Sequence, residues 1–264
     1  HKFMKTLTLI SRYLKYLLKA KGKHSAQSPF LYQFITKILE KKSKDNNCIK
    51  VEELRKDLCK SHEVIKIIDF GAGSHVNKSS TRRVKDVAKN SAKNSKFGNL
   101  LYRIIQFYKP KNILELGTSL GISTLYLSLA NKESNVFTFE GCPETTKFAL
   151  ANFQNLNTRN ISVILGDFKK TLAINLEKIE TLDFVFVDGN HQKEATIKYF
   201  ELCLKYANNN TIFVFDDIHW SRGMEQAWDY IKAHQETKLS IDLFYLGIVF
   251  IKSELSKENY TIRF

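Results

Sequence analysis

Asn112-Ile-Leu-Glu-Leu-Gly-Thr-Ser-Leu-Gly-Ile-Ser-Thr-Leu-Tyr-Leu-Ser-Leu-Ala130 is the stretch that decides the fold. A short apolar run ends at Glu115-Leu116, a Gly-rich turn follows, and a helix opens near Ile122. Such a turn lets the backbone approach a ligand where a side chain would clash. A dinucleotide-binding loop would read G-x-G-x-x-G and seat a pyrophosphate on the helix N-terminus. Here the spacing is Gly117-x-x-x-Gly121, with Glu115 two residues before the first glycine. A carboxylate at that point suits a cationic amino-acid moiety and would repel a pyrophosphate.

Outward from this turn, apolar runs recur at 112–116, 135–139, 161–165, 182–187 and 211–215, with helix-compatible segments between them. This is the rhythm of βαβ units on a parallel sheet. The last apolar segments, around 240–252 and 259–264, have no helix between them and predict an antiparallel hairpin at the sheet edge. Five parallel strands and a hairpin resemble the class I methyltransferase sheet. The expectation is therefore an α/β, Rossmann-like, seven-stranded, mostly parallel sheet with helices on both faces, preceded by a mainly helical extension. The catalytic domain is placed at 97–264 and the extension at 1–96.

Three acids stand at later strand ends. Glu140 closes Asn135-Val-Phe-Thr-Phe-Glu140, 25 residues after Glu115, where a carboxylate can accept from both ribose hydroxyls. Ile161 to Leu165 leads into Gly166-Asp167-Phe168, and Leu182-Asp-Phe-Val-Phe-Val-Asp188 ends on Asp188. Together with Glu115-x-Gly117-x-x-x-Gly121, this series resembles the motifs of S-adenosylmethionine (SAM) dependent methyltransferases. The resemblance implies that Glu115, Gly117, Thr118, Ser119, Gly121, Ser123, Glu140, Gly166, Asp167, Phe168 and Asp188 bind SAM, with Asp167 at the adenine amino group and Phe168 lining the base.

Asp188-Gly-Asn-His191 and Asp216-Asp217 follow the fourth and fifth runs, whose ends neighbour one another in an open parallel sheet. Three unpaired carboxylates so placed would repel one another. A divalent cation removes the conflict, and all-oxygen ligation by Asp188, Asp216 and Asp217 suits Mg2+. The other reading is an acid cluster that caps loops or contacts SAM. With an ion present, an acceptor hydroxyl would be acidified and positioned, and His191 is the favoured general base because its pKa lies near working pH. The layout resembles the metal-dependent O-methyltransferases of the catechol type and of the macrocin and mycinamicin sugar type, over about residues 97–252. His219 reads as substrate-facing or supporting rather than as a base, and Trp220 and Trp228 as pocket walls or core.

The chain before residue 97 departs from that pattern. His24-Ser-Ala-Gln-Ser-Pro-Phe30 and Asp69-Phe-Gly-Ala-Gly-Ser74 match none of these motifs, and the second is expected to be a turn or lid rather than a ligand loop. Helices are predicted over Met4–Lys19, from Ser28-Pro29 to about Glu40, over Val51–Lys60 and over Thr81–Tyr108, with a loop at Lys41–Asn47. Residues 1–109 hold 25 Lys/Arg against 8 Asp/Glu, whereas the remainder holds 16 against 19, so the net charge of +14 belongs to the first part.

The acceptor expected from the resemblance is a small hydroxylated metabolite. The alternative is tRNA or another RNA, with phosphate contacts from the basic half. A membrane-lying Met4–Lys19 helix with a lipid acceptor ranks below packing of that helix on the catalytic domain or on a second subunit of a homodimer. Four cysteines without metal-ligand spacing, no secretory signal and no apolar run of spanning length point to the cytoplasm.

Overall fold

The computed structural model describes residues 2–22, 28–41, 45–68, 81–90 and 94–264. The chain divides into two compact units, residues 41–182 and residues 1–40 with 183–264. The Asp69–Ser74 segment and His24–Gln27 lie outside the described residues.

The unit of residues 1–40 and 183–264 opens with α1 (Lys2–Lys19) and α2 (Pro29–Phe34), the latter continuing into a π-helical turn at Ile35–Leu39. Ser28 caps α2 by accepting from the Leu31 N–H at 3.2 Å, and Pro29 occupies the first helical position, where its missing N–H costs nothing. Tyr16 donates its hydroxyl to the Ile262 carbonyl, and Phe30 and Phe34 meet Phe250 edge-on. α1 and α2 thus pack on the last strands of their own unit.

In residues 41–182, α3 (Asn46–Leu58) begins five residues earlier than its periodicity indicates, because Asp45 caps it by accepting from the Asn47 N–H at 2.9 Å. The expected loop therefore ends at Asp45. β1 (Val64–Lys66) and β2 (Thr81–Arg83) form a separate antiparallel pair. The continuous helix expected over Thr81–Tyr108 is thus replaced by β2, α4 (Val84–Asn90) and α5 (Ser95–Tyr108). A pairing partner so distant in sequence leaves no trace in local periodicity. Asn94 caps α5, and Lys109 ends it in a left-handed conformation before Pro110. The sheet strands of this unit are β3 (Asn112–Leu116), β4 (Asn135–Glu140) and β5 (Ile161–Leu165), adjacent in that order and parallel throughout. The helices α6 (Ile122–Ala130), α7 (Pro143–Asn155) and α8 (Phe168–Ile179) alternate with them. α5 crosses α6 so closely that a Cβ on Gly98 would lie 2.3 Å from the Tyr126 ring.

The chain then contributes β6 (Leu182–Val187), α9 (Lys193–Leu204), β7 (Ala207–Asp216), α10 (Arg222–Ala233), β8 (Leu239–Asp242), β9 (Leu246–Phe250) and β10 (Glu258–Thr261). Their order is β10-β8-β9-β7-β6, and the main sheet has eight strands rather than seven. The antiparallel hairpin is β8–β9, wholly within 239–250, while β10 is an additional strand parallel to β8. The sequence hides the hairpin turn because Leu239 to Phe250 contains no Asn-Gly or Pro signal. Asp242 makes the turn instead, accepting from the Phe244 N–H at 2.8 Å while Phe244 takes φ 69°. β6 and β7 each contain a continuous apolar run, 184–187 and 212–215, because both faces are covered there: Phe184, Val185, Phe186, Phe213, Val214 and Phe215 are all buried. No helix among the described residues is long and apolar enough to cross a membrane.

Candidate active site

The Gly-rich turn lies in residues 41–182. Gly117 (φ 109°) and Gly121 (φ 81°) adopt backbone that L side chains rarely take, and a Cβ on Gly121 would meet Phe153 at 2.5 Å. Between them Ser119 is also left-handed, at φ 50°. Such strain persists only where neighbours over-determine it. Glu140 does this: its Oε2 accepts from the Ser119 N–H at 2.7 Å, and its Oε1 accepts from the Cys142 N–H at 2.8 Å. The Gly117 and Thr118 N–H groups donate to the Phe139 carbonyl, and the Asn152 amide donates to the Leu120 carbonyl. Burial pushes the Glu140 carboxyl above its usual range, against the pull of those backbone donors.

Glu115 has no exposed surface. Its Oε2 accepts from the hydroxyls of Thr124 on α6 and Thr138 on β4, so one carboxylate ties three elements together beneath the turn. Its Oε1 is buried without a hydrogen-bond partner. Burial pushes its pKa up to about 7, with the hydroxyls of Ser123, Thr124 and Thr138 opposing. A carboxyl raised in the fold binds more protons than in the unfolded chain between its ordinary 4.5 and about 7, so stability falls as pH rises through that window. Chemical denaturation from pH 4.5 to 7.5 is expected to show this decline, reduced in Glu115→Gln; an unchanged slope in the variant would assign the decline elsewhere.

At the end of β5, Gly166 takes φ 143° and donates to the Glu140 carbonyl at 2.8 Å. Asp167 caps α8 by accepting from the Lys169 N–H at 3.0 Å, and Phe168 stands edge-on to Phe139. Thr118 and Ser123 are buried, and the Thr118 and Thr138 hydroxyls are 2.6 Å apart.

In residues 183–264, the turns after β6 and β7 bring Asp188, His191 and Asp216 together. One ligand-type atom of each lies within 4.8 Å of the others. His191 Nε2 is 3.8 Å from Asp188 Oδ1, Asp216 is buried, and His191 keeps 26% of its side chain exposed. Two carboxylates and an imidazole at this spacing fit a divalent cation. Asp217, which sequence spacing places with Asp188 and Asp216, is not in that compact group; its backbone turns at φ 53°. Asn190, beside His191, is likewise left-handed at φ 52° and donates to the Tyr199 hydroxyl. The turns after β3, β6 and β7 therefore each carry a non-glycine residue in a strained conformation.

Sequence reading gave no hint of the network around His219. Its Nε2 lies 2.8 Å from Asp242 Oδ2, its Nδ1 lies 3.2 Å from Glu225 Oε1, and its ring stacks on Phe244. Arg12 of α1 completes the network, 2.9 Å from Glu225 Oε2. Burial works to lower the His219 pKa, but Asp242 and Glu225 together outweigh it and hold the imidazole above its usual value. Partners from α1, α10 and the β8–β9 hairpin have no spacing that would reveal them. Trp228 is core, sealed against Gly247, whereas Trp220 is partly exposed.

Residues 114–218 match a protein family described as a methyltransferase domain. The chain is 28% identical over 127 residues to a catechol O-methyltransferase of Niastella koreensis, covering 46% of this chain and 55% of that protein. It is 29% identical over 130 residues to a catechol O-methyltransferase of Mycobacterium tuberculosis, covering 48% and 56%. The chain thus spans a little over half the length of these curated relatives. Its fold is that of a Podospora anserina methyltransferase solved with S-adenosylhomocysteine bound, with a TM-score of 0.60 at 16% identity over 84% of this chain and 96% of the other. The chain is therefore similar to methyltransferases in its matched domain and in its fold, and to O-methyltransferases in these two relatives.

Proposed function

We propose that the chain is an enzyme, a SAM-dependent O-methyltransferase that acts on a small hydroxylated metabolite with help from a divalent cation. The observation that carries this reading is the meeting of Asp188, His191 and Asp216 after β6 and β7 in a chain whose β3 turn is built for close ligand approach. Residues 97–264 are assigned as the methyltransferase domain and residues 1–96 as its basic extension. Four unbridged cysteines agree with a cytoplasmic setting.

Gly117, Thr118, Ser119, Gly121 and Ser123 are assigned to the amino-acid end of SAM, with Glu115 holding their turn from beneath. Glu140 takes the ribose hydroxyls. Gly166, Asp167 and Phe168 are assigned to adenine, and Asp188 to the methyl-bearing end.

Asp188 and Asp216 would hold the cation, Mg2+ or a similar ion, with Asp217, outside the compact group, as a further carboxylate on the same turn. When bound, the ion acidifies an acceptor hydroxyl and offsets the carboxylate charge. His191 accepts the hydroxyl proton on its imidazole and, being partly exposed, returns it to water. The acceptor oxygen then attacks the SAM methyl carbon in line, and the bond from that carbon to sulfur breaks, leaving S-adenosylhomocysteine.

Transfer of labelled methyl from SAM into a cell extract, fractionated into small molecules, lipid and nucleic acid, tests the reading. Label is expected in small molecules and is expected to vanish with EDTA. Label in RNA would transfer the substrate to nucleic acid and give the basic half a phosphate-binding role, and label insensitive to EDTA would remove the ion.

A further inference from the structure

We propose that α1 is an interfacial helix that lays an outward apolar stripe on an anionic lipid surface. The helix has two apolar faces. One, with Arg12 and Tyr16, packs on its own unit: Tyr16 is buried against Ile262 and Phe244, and Arg12 is ion-paired with Glu225. The other faces solvent. Ile10, Leu14 and Leu18 follow one another at i, i+4 and i+8, and so form one row along the helix. They are 49%, 55% and 89% exposed. Tyr13 flanks the row and is also exposed. A nearly bare leucine at the end of an exposed apolar row serves no purpose in packing this unit.

The charge on the helix selects the occupant. Lys2, Lys5, Arg12, Lys15 and Lys19 are its charged residues, and it contains no Asp or Glu. Lys15 stands beside the apolar row, about 60° round the helix from Leu18, and Lys19 lies farther round, at the C-terminal end. Near the C-terminal end of the helix, Lys19 and Lys21 line a cavity of about 320 Å³ together with Leu31, Ile35, Glu258 and Tyr260. The Glu258 carboxylate is engaged there by the Tyr260 hydroxyl. An apolar row bordered by cations alone is the pattern of a helix lying in a headgroup region. A second copy of the same face would set cations against cations. Polynucleotide would satisfy the lysines but leave the aliphatic row without a partner, since single strands stack on aromatic rings. Lipid with anionic headgroups satisfies both. The helix lies on the bilayer and does not span it.

The inference is independent of the methyl-transfer assignment, because its readout is binding. Full-length protein is mixed with vesicles of phosphatidylcholine alone or with about 30% phosphatidylserine added, and sedimented at low and high salt. Sedimentation is expected with the anionic vesicles, weakening as salt rises. The exposed double variant Leu14→Ser/Leu18→Ser is expected to lower partitioning at least about tenfold. Lys15→Gln/Lys19→Gln, which leaves every buried contact in place, is expected to lower it by about tenfold to thirtyfold. Equal recovery of the native protein with and without phosphatidylserine overturns the proposal, and so does full retention by both variants. If the native protein ignores vesicles and is a dimer that Leu14→Ser/Leu18→Ser converts to monomer, the row is a self-association surface and the proposal fails.

Discussion

Asp216→Asn is expected to lower kcat for methyl transfer by at least about a hundredfold, the loss of several kcal/mol of charge stabilisation at about 1.4 kcal/mol per decade. SAM affinity should stay unchanged, because Asp216 is not among the residues assigned to SAM. The variant also has a readout that needs no turnover. In the ion-free protein Asp188 and Asp216 face each other within a group 4.8 Å across, so replacing one carboxylate with a neutral amide relieves like-charge repulsion. Mn2+ should raise the native Tm through binding linkage and leave that of Asp216→Asn where it was. Unaltered turnover and EDTA sensitivity in the variant would remove the ion from the mechanism. His191→Ala separates the two roles open to that imidazole. A general base lost costs about 10²–10⁴ in rate with the Mn2+ response intact, whereas a lost ligand abolishes the response.

Glu140→Gln is expected to weaken SAM binding by about two orders of magnitude or more. Two hydrogen bonds from ribose hydroxyls to a charged acceptor are worth about 1.5–3 kcal/mol each. Glutamine is isosteric, yet it fails for a second reason. Both carboxylate oxygens already accept from backbone N–H groups, of Ser119 and of Cys142. An amide must turn its NH2 toward one of these donors, so either orientation leaves a donor facing a donor. The Ser119 end matters more, because that bond holds a residue at φ 50° between Gly117 and Gly121. Calorimetric titration with SAM, alongside a thermal melt to establish folding, checks the outcome. A folded Glu140→Gln protein that binds SAM with native affinity would defeat the assignment of both ribose and turn.

Much of the site's raw material is legible in one dimension because it is local. A strand end, a Gly-rich turn and a helix start are properties of a few consecutive residues, so Gly117, Gly121, Glu140, Asp167, Asp188 and Asp216 can be placed at strand ends from their neighbours alone. What each side chain meets there is not local. Glu115 reads in sequence as a carboxylate offered to a ligand, but the fold encloses it between Thr124 and Thr138. Asp217 reads as equal to Asp216, yet a left-handed turn separates the two, and the compact trio includes His191 instead.

The amino-acid sequence by itself determined the α/β class, the alternation from residue 112 onward and the basic character of the first part of the chain. These follow from hydrophobic period and composition, which need no partner to be read. Tertiary structure alone decided the eighth strand, the β8–β9 turn made by the Asp242 side chain, the small β1–β2 sheet and the His219 network. Each depends on groups brought together across long stretches of chain or on a side chain replacing a turn motif. It also decided which face of α1 is spent on packing. The amphipathic pattern shows apolar residues on the helix, but only the docking of Arg12 and Tyr16 leaves Ile10, Leu14 and Leu18 facing outward.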